Sequence, residues 1–245
     1  MSVAEPTWDS AAYARARPTY PDELFAFLAA QAPGRKSAWD CATGNGQAAI
    51  GLARHFERVE ATDVSAEQVA HARPATNVRY SVQPGEATTF ADASFDAVCV
   101  AEALHWLEVD RFYAEARRVL RGGGVIAIIG YSRQKVGEPF DAEFHRIVTT
   151  AVKPHFPRQI GHLWGRYKDL AFPFEPVAAP AFEMRMRWTL AQLMDYVGTW
   201  SGTRRLMAID PGFLDRATAE LKPSWGQEES RDVMFPLTLN CGRKA

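Results

Sequence analysis

Up to Tyr131, the pattern of apolar and polar residues alternates between short runs typical of strands and longer stretches typical of helices. The runs with the composition of buried strands are 37–42, 58–63, 78–82, 95–101 and 125–131. Between them, residues 46–56, 65–73 and 110–121 have helical patterns, and the glycines at 122–124 are expected to end the last helix. Strands that alternate with helices indicate a parallel sheet covered on both faces.

The alternation of strand-like and helical patterns ends after Tyr131. Residues 132–181 begin with a helical pattern and continue with many aromatics and prolines, which predicts an inserted helical cap. A further strand at 182–190, a helix at 191–206 and a final strand at 232–244 complete the pattern, and Pro236 favours an edge position for the last strand. The sequence therefore predicts one α/β domain with a doubly wound, mostly parallel, seven-stranded Rossmann-like sheet and helices on both faces.

Composition excludes several classes of function. The 245 residues are 47% hydrophobic with a net charge of -1, so the total charge attracts neither nucleic acid nor an anionic membrane. The N-terminus has no signal-peptide pattern, and no apolar run approaches the length needed to span a bilayer. The three cysteines form no CxxC pair, and the histidines lack metal-ligand spacing. We expect a cytoplasmic monomer or small homo-oligomer without a metal site.

The stretch "AWDCATGNGQAAI" at 38–50 is the strongest candidate for chemistry. A G-x-G-x-x-A pattern begins at Gly44, where residues without Cβ atoms let the backbone approach a ligand. Asp63 ends the next predicted strand, where a carboxylate can accept hydrogen bonds from ribose hydroxyls. The pattern fits a nicotinamide or flavin nucleotide, and it also fits a plain strand–helix turn. Asp40 favours a different ligand, because a carboxylate repels a pyrophosphate and suits an ammonium or sulfonium.

Four motifs in this order resemble the class I S-adenosylmethionine-dependent methyltransferases. They are "WDCATGNG", "ATDVSAEQVAHA", "FADASFDAVCVAEALHW" and "EARRVLRGGGVIAII". The resemblance covers 13–131 and is to the small-molecule type 11 branch, near the trans-aconitate-methyltransferase-like group, in which an N-terminal helix carries a motif similar to "YARARPTYPDEL". The family usually has glycine where this chain has Ala42, and we expect the loop to accommodate the methyl group with a negative φ.

The resemblance implies S-adenosylmethionine as the cofactor, with S-adenosylhomocysteine as its product, and it assigns cofactor contacts to the ends of the strands. Asp40 would orient the loop and the methionine amine, and Asp63 would hold the ribose hydroxyls. Glu86 would lie near the adenine amino group. The other implied cofactor positions are Ala42, Gly44, Gly46, Val64, Ala87, Ala101, Tyr13, Arg17 and Tyr20.

These other positions have more specific implied roles. The loop residues would line the methionine portion, Val64 would pack on the adenine, and the Ala101 carbonyl would accept from the methionine amine. Tyr13, Arg17 and Tyr20 would lie on a lid helix, with Arg17 paired to the cofactor carboxylate. Residues 1–131 would thus hold the lid and the cofactor half of the sheet, 132–181 the cap, and 182–245 the rest of the sheet and the acceptor pocket.

Two residues after the fourth predicted strand are candidates for contact with the methyl acceptor. His105 is either a general base or a hydrogen-bonded structural histidine, since histidine performs both roles. Trp106 is expected to line the acceptor pocket together with Trp200. Methyl transfer from a sulfonium by in-line displacement needs a base only when the acceptor is a poor nucleophile, and a carboxylate acceptor needs none.

We therefore predict an enzyme that transfers a methyl group from S-adenosylmethionine to a small molecule, with a carboxylate as one candidate acceptor. Two alternatives remain open on the sequence alone. The first is a nicotinamide-nucleotide oxidoreductase, and the second is a non-catalytic nucleoside-binding module on the same fold.

Overall fold

The computed structural model describes residues 17–131 and 133–245. Its strands are β1 (Ser37–Cys41), β2 (Arg58–Asp63), β3 (Val78–Val82), β4 (Phe95–Ala101), β5 (Leu120–Tyr131), β6 (Glu175–Pro176), β7 (Glu183–Trp188) and β8 (Arg231–Arg243). Its α-helices are α1 (Asp22–Gln31), α2 (Gln47–Leu52), α3 (Ala66–Ala70), α4 (Val109–Val119), α5 (Phe140–Phe144), α6 (Thr150–Val152), α7 (Ile160–Trp164), α8 (Leu190–Gly198), α9 (Ser201–Met207) and α10 (Phe213–Trp225). No helix within the described residues is long and apolar enough to cross a membrane.

The chain forms two compact units. Within the described residues, the sheet unit holds 19–131, 161–184 and 236–245, and the helical unit holds 17–18, 133–160 and 185–235. The predicted division at 131 and 181 concerns functional roles and stays a prediction.

The strands form one sheet in the order β3-β2-β1-β4-β5-β8-β6, and β7 pairs with β8. The first five strands are parallel, and β8 runs antiparallel to β5. The doubly wound α/β prediction is confirmed, with eight strands instead of seven because of the two-residue β6. Strand order reverses between β1 and β4, so the carboxyl ends of these strands flank the position where such sheets bind ligands.

Alternating side chains along the central strands explain why helices cover both faces of the sheet. Ala38 and Ala97 belong to the apolar core that α1 and α2 complete on one face. Their neighbours Trp39 and Val98 belong to the core that α4 completes on the other. Because successive residues of a strand point to opposite faces, a run that is apolar throughout predicts two covered faces.

The three glycines after α4 lie inside a strand and do not end the helix. Helix α4 ends at Val119, and β5 begins immediately at Leu120. Phe95 pairs with Leu120 and Ala97 with Val125, so residues 121–124 form a bulge in β5 opposite one residue of β4. Glycine suits such a bulge because it adopts a positive φ without strain, and Gly123 has a φ of +75°.

The prediction that Arg17 and Tyr20 lie on a lid helix is wrong. Arg17 lies in a bend, Tyr20 has no regular secondary structure, and α1 begins only after Pro21. Each of these two residues precedes a proline, Pro18 or Pro21, and a proline disfavours the helical conformation of the residue before it. The sequence Arg-Pro-Thr-Tyr-Pro therefore runs into α1 without being helical.

Strand β8 is not an edge strand, contrary to the expectation from Pro236. It lies between β5 and β6, and its pairing with β5 runs from Arg243 to Leu237. Pro236 comes just beyond that pairing, so its missing N–H removes no bond of the β5–β8 ladder. An interior strand can therefore contain the proline.

The helical unit has an aromatic core. Helix α5 continues through a π-helical turn, His145–Thr149, into α6. Phe140 packs edge-on against Trp225 with 5.1 Å between ring centroids, and Phe144 packs against Trp200 at 6.2 Å. The single helix predicted over 191–206 is instead two helices, α8 and α9.

Candidate cofactor and acceptor site

Strand β1 ends in a tight loop that is hydrogen-bonded to the end of β2. The Thr43 N–H donates to the Thr62 carbonyl at 2.9 Å, and the Gly44 N–H donates to Asp63 Oδ2 at 2.8 Å. Gly44 and Gly46 have φ angles of +56° and +85°, which glycine adopts readily. The loop is therefore fixed by its own backbone bonds.

The two glycines of this loop have different surroundings. A Cβ at Gly46 would lie 2.2 Å from the hydroxyl oxygen of Tyr80, which donates to the Arg73 carbonyl at 2.7 Å. A Cβ at Gly44 would have only Gln68 Oε1 nearby, at 4.0 Å. Gly46 thus makes room for the protein's own tyrosine, whereas the bare backbone at Gly44 is open to a ligand.

Ala42 has a φ of +52°, so the expectation of a negative φ is wrong. This conformation turns the chain so that the N–H of the next residue, Thr43, donates to the Thr62 carbonyl. A left-handed alanine costs about 1–2 kcal/mol, which explains why the family usually has glycine at this position. The Ala42 methyl packs against the apolar core on the α4 side of the sheet, and this contact offsets part of the cost.

Asp40 is a buried carboxylate with an incomplete set of partners. Its Oδ2 accepts from the Thr43 hydroxyl at 2.5 Å. Oδ1 forms no well-aligned hydrogen bond with the described residues, although the Ala49 N–H lies close enough to the carboxylate to act on it. Burial raises the pKa of Asp40 to about 7, the Thr43 hydroxyl and the nearby Ala49 N–H act in the opposite direction, and the charge of Asp63 raises the pKa further. A cation near Oδ1 would therefore favour the ionised form.

Three carboxylates converge on the end of β1. Burial is the main reason why the pKa of the Cys41 thiol is raised, and the charges of Asp40, Glu86 and Asp63 each add to it. Acidic groups from the ends of β1 and β2 and from the loop after β3 therefore lie around one point. Such a site attracts a cationic ligand and repels a pyrophosphate.

The loop after β3 lies directly against the end of β1. A Cβ at Gly85 would lie 2.6 Å from Cys41 Sγ, so glycine is needed for this close approach. The next residue, Glu86, accepts from the Glu108 N–H through Oε1 at 2.9 Å. Ala87 follows and is exposed. Glu86 thus holds the start of α4 with one oxygen and retains a second oxygen for another donor.

Exposed apolar side chains flank Asp63. The Asp63 carboxylate accepts from Ser65 N–H through Oδ1 at 2.9 Å and from Gly44 through Oδ2. Val64 is 70% exposed and Val82, which pairs with Asp63 across β2 and β3, is 52% exposed. Two exposed valines beside a half-buried carboxylate suit a flat apolar ring attached to a sugar, since apolar surface gains from being covered.

The end of β4 presents a histidine and a tryptophan. After Ala101 the chain forms a short 3-10 turn, Leu104–Trp106. His105 is buried, and burial together with the nearby His162 lowers its pKa to about 4, so the imidazole is neutral at pH 7. His105 Nδ1 lies 3.0 Å from the Tyr167 hydroxyl oxygen. The Trp106 ring is 4.9 Å from the imidazole and is 46% exposed.

Tyr20, one of the predicted lid residues, packs among other aromatic side chains of the sheet unit. Tyr20 packs edge-on against Phe25 at 6.1 Å and against Tyr131 at 6.5 Å between ring centroids. These contacts place Tyr20 beside the α1 side of the core. Tyr13 lies outside the described residues, so its cofactor role stays a prediction.

Arg17 and Trp200 belong to the helical unit. Both lie against Tyr196: the Arg17 guanidinium is 5.3 Å from the centre of the tyrosine ring, and the Trp200 ring is 5.6 Å from it. A guanidinium over an aromatic face is a favourable cation–π arrangement. The roles of Arg17 at the cofactor carboxylate and of Trp200 at the acceptor stay predictions.

Sequence reasoning missed Thr43, Tyr80 and Val82 as members of the site. Thr43 lies inside the motif "CATGNG", and a hydroxyl three residues after a buried aspartate is a usable signal for a hydrogen bond. Tyr80 and Val82 are neighbours of the loop only through the pairing of β2 with β3. The alternation of that strand predicts which face they share but not what they contact.

Similarity to known proteins identifies the family. Residues 39–128 match a family described as a methyltransferase domain. An uncharacterized methyltransferase of Mycobacterium bovis is 33% identical over 242 residues, which are 95% of this chain and 91% of the relative. The chain belongs to the class I S-adenosylmethionine-dependent methyltransferases. A methyltransferase of Dictyostelium discoideum is 26% identical to this methyltransferase over 250 residues, covering 96% of the chain and 93% of the relative.

A solved structure supports the same assignment over the whole fold. It is described as a type II methyltransferase from Anaeromyxobacter dehalogenans and superposes on this methyltransferase with a TM-score of 0.87 and 37% identity. The match covers 93% of this chain and 97% of the solved one. Membership of the family decides against the nicotinamide-nucleotide oxidoreductase, and the acidic surroundings of the glycine loop agree with that decision.

Proposed function

We propose that this methyltransferase binds S-adenosylmethionine at the carboxyl ends of β1, β2 and β4 and methylates a small molecule, with a carboxylate as the favoured acceptor. The observation that carries the proposal is the unpartnered Oδ1 of buried Asp40 beside the open backbone of Gly44. When bound, the cofactor supplies a methyl group already activated on a sulfonium. Its positive sulfonium and ammonium complement the three carboxylates around Cys41.

The described residues fit the parts of this cofactor in order along the sheet. Asp40 would balance the ammonium, and the Gly44 backbone would lie against the methionine portion. Each oxygen of a carboxylate has two acceptor positions, so Asp63 can keep its two backbone N–H donors and still hold a ribose diol. Val64 and Val82 would cover the adenine ring, and the second oxygen of Glu86 would accept from the adenine amino group.

The protein's contribution to the reaction is mainly positioning. Holding two reactants in line can be worth about 7–11 kcal/mol. Trp106, at the end of β4, supplies an exposed apolar wall that would exclude water from one side of the acceptor. His105 is neutral at pH 7 because of its burial, and a carboxylate acceptor requires no proton removal.

Asp63→Asn is expected to weaken the binding of S-adenosylhomocysteine by about 1–3 kcal/mol, the cost of losing a charged acceptor. The substitution places an NH₂ group opposite one of the two N–H donors that Asp63 now accepts. Calorimetric titration measures the change. Asp110→Asn, at an exposed position on α4, is the matched control and should leave affinity unaltered. An Asp63→Asn protein that binds within twofold of the original would remove Asp63 from the cofactor site.

A screen for methyl acceptors tests the reaction itself. The protein is incubated with S-adenosylmethionine and panels of mono- and dicarboxylic acids, phenols, amines and thiols, and the formation of S-adenosylhomocysteine and of methylated product is followed by mass spectrometry. Turnover with carboxylic acids would support the proposal in full. Binding of the cofactor without turnover on any panel would favour the non-catalytic module, and an absence of cofactor binding would refute the site.

A further inference from the structure

Tyr167 and His105 form a buried pair at the end of β4. The Tyr167 oxygen is 3.0 Å from His105 Nδ1, and the two rings are nearly parallel, with an interplanar angle of 18° and 6.2 Å between centroids. Both side chains are buried. Only one hydrogen lies between the two atoms, so the pair is satisfied in one of two ways: the phenol donates to Nδ1, or the Nδ1–H donates to the phenol oxygen.

The surroundings of Tyr167 decide between these two arrangements. Burial is the main reason why the pKa of Tyr167 is raised, with Glu102 and Tyr113 adding to it, so the phenol keeps its proton. Within the described part of the chain, the Tyr167 hydroxyl has no hydrogen-bond partner other than His105. If Nδ1–H were the donor, the buried phenol proton would have no acceptor, and a buried donor left without a partner is costly. The phenol is therefore the donor.

The remaining proton of the histidine follows from that assignment. A neutral imidazole has one N–H, so when Nδ1 accepts from Tyr167 the hydrogen is on Nε2. Nε2 has no hydrogen-bond partner in the described ranges and is not one of the fully buried unpaired atoms. Nε2–H is therefore a donor that is at least partly accessible and free to bond a ligand.

The backbone holds Tyr167 at this position at some conformational cost. Arg166 and Tyr167 have φ angles of +57° and +56°, and the Tyr167 N–H donates to the His162 carbonyl at 2.7 Å. Glu102, between β4 and His105, has a φ of +56°. Left-handed conformations of such residues persist only where the surrounding structure requires them, and they are frequent at functional sites.

The segment that contains Leu163 and Tyr167 packs so closely against β5 that Gly130 has no space for a side chain. A Cβ at Gly130 would lie 2.7 Å from the Leu163 Cδ1 atom and 3.4 Å from the Tyr167 ring. The position of Tyr167 relative to β5, and with it the hydrogen bond to His105, is therefore set by close packing.

We propose that Tyr167 is a positioning residue that holds His105 in the Nε2–H tautomer, which makes His105 a hydrogen-bond donor to an anionic oxygen of the methyl acceptor instead of a general base. The class of acceptor rests on the proposed function, whereas the tautomer rests on the geometry of the pair alone.

An Nε2–H donor suits a carboxylate acceptor. One carboxylate oxygen would accept from His105, and the other would face the methyl group. In the transfer, a lone pair of that second oxygen forms the new O–CH₃ bond, the S–CH₃ bond breaks, and its electron pair stays on sulfur as a neutral thioether. No proton is released, so no base is required.

Nitrogen NMR of the histidine side chains tests the tautomer without any acceptor. His105 is assigned by the signals that disappear in His105→Gln. In the unsubstituted protein we expect Nε2 to resonate as a protonated nitrogen and Nδ1 as an unprotonated one. Signals with the proton on Nδ1 would overturn the proposal.

Tyr167→Phe tests whether Tyr167 is the cause. Removal of the hydroxyl is expected to convert the single His105 tautomer into a mixture of the two. Tyr113→Phe is the matched control, because Tyr113 is also buried but forms no hydrogen bond with His105, and it should leave the His105 signals unchanged. An unaltered tautomer in Tyr167→Phe would show that Tyr167 does not position the ring.

Two further measurements separate this proposal from the proposed function. Tyr167→Phe should bind S-adenosylhomocysteine within twofold of the original protein; if neither protein binds it, the proposed function fails while the tautomer result stands.

With a carboxylic acid that the acceptor screen identifies, His105→Ala should raise KM at least tenfold, whereas His105→Gln, which keeps an N–H donor, should raise it less than threefold. Equal loss of kcat in both variants would indicate a base and contradict the proposal.

Discussion

Replacing Gly46 with alanine is expected to lower the free energy of unfolding by about 2–5 kcal/mol, the sum of a left-handed alanine and an overpacked contact. The backbone at Gly46 has a φ of +85°, and the added methyl would lie 2.2 Å from the Tyr80 hydroxyl oxygen. Either the Tyr80 side chain must move and lose its hydrogen bond to the Arg73 carbonyl, or the loop must move away from β3 and weaken the bond from the Gly44 N–H to Asp63. Thermal unfolding should show a midpoint lowered by roughly 5–15 °C for a chain of this size.

Two further variants separate the contact from the backbone conformation. Gly122→Ala is the matched control, because a Cβ at Gly122 would meet nothing within 4 Å and its φ is not in the left-handed region; its midpoint should change little. Tyr80→Phe removes the atom nearest to the added methyl, so the double variant should recover part of the lost stability. A Gly46→Ala protein as stable as the Gly122→Ala protein would contradict the close approach that the structure shows.

The strands of the sheet were predictable because their physical signal is local. Runs such as 97–101 are apolar at every position, and such runs occur where both faces of a strand are covered. The positions of Asp40 and Asp63 at the ends of β1 and β2 followed from these runs, because parallel strands bring their carboxyl ends to one edge. The chain order of elements was therefore enough to predict that Asp40 and Asp63 lie near the same edge of the sheet.

Features that depend on distant pairing could not be predicted in the same way. The glycines at 122–124 follow an amphipathic helix, and the same letters would end a helix or form a bulge; the pairing of Phe95 with Leu120 decides for the bulge. A proline is excluded only at a position where the partner strand needs its N–H as a donor. The last residue of β8 that pairs with β5 is Leu237, which follows Pro236 in the sequence, so β5 needs no donor from Pro236.

The hydrogen bond between His105 and Tyr167 could not be predicted for the same reason, because it joins residues that are distant in the sequence. The two residues are 62 positions apart, and Tyr167 has a left-handed backbone conformation that no local pattern in "GHLWGRYKDL" indicates. The sequence identified His105 and left its role as base or structural residue open. A role for a histidine depends on the partner of each ring nitrogen, and that partner is a property of the fold.

Asp40 is expected to make the ligand-free protein less stable as pH rises from about 4 to about 7. Its ordinary pKa is 3.8, and burial raises the pKa in the folded protein to about 7. Between these values the folded state holds a proton that the unfolded state has released, so the free energy of unfolding falls as pH rises. Each pH unit in this interval costs about 1.4 kcal/mol, which gives a loss of about 4 kcal/mol between pH 4 and pH 8.

Asp40→Asn isolates this contribution, because the amide has the same shape and does not titrate. Chemical unfolding at several pH values should show that the stability of the original protein relative to Asp40→Asn declines by about 4 kcal/mol over that range, while other titrating groups cancel in the comparison. Under the proposed function, saturating S-adenosylhomocysteine should reduce the decline, because an ammonium near Oδ1 would stabilise the ionised carboxylate and lower its pKa. Parallel pH profiles for the two proteins would mean that Asp40 is already compensated in the ligand-free fold, and the cationic end of the ligand would then need another partner.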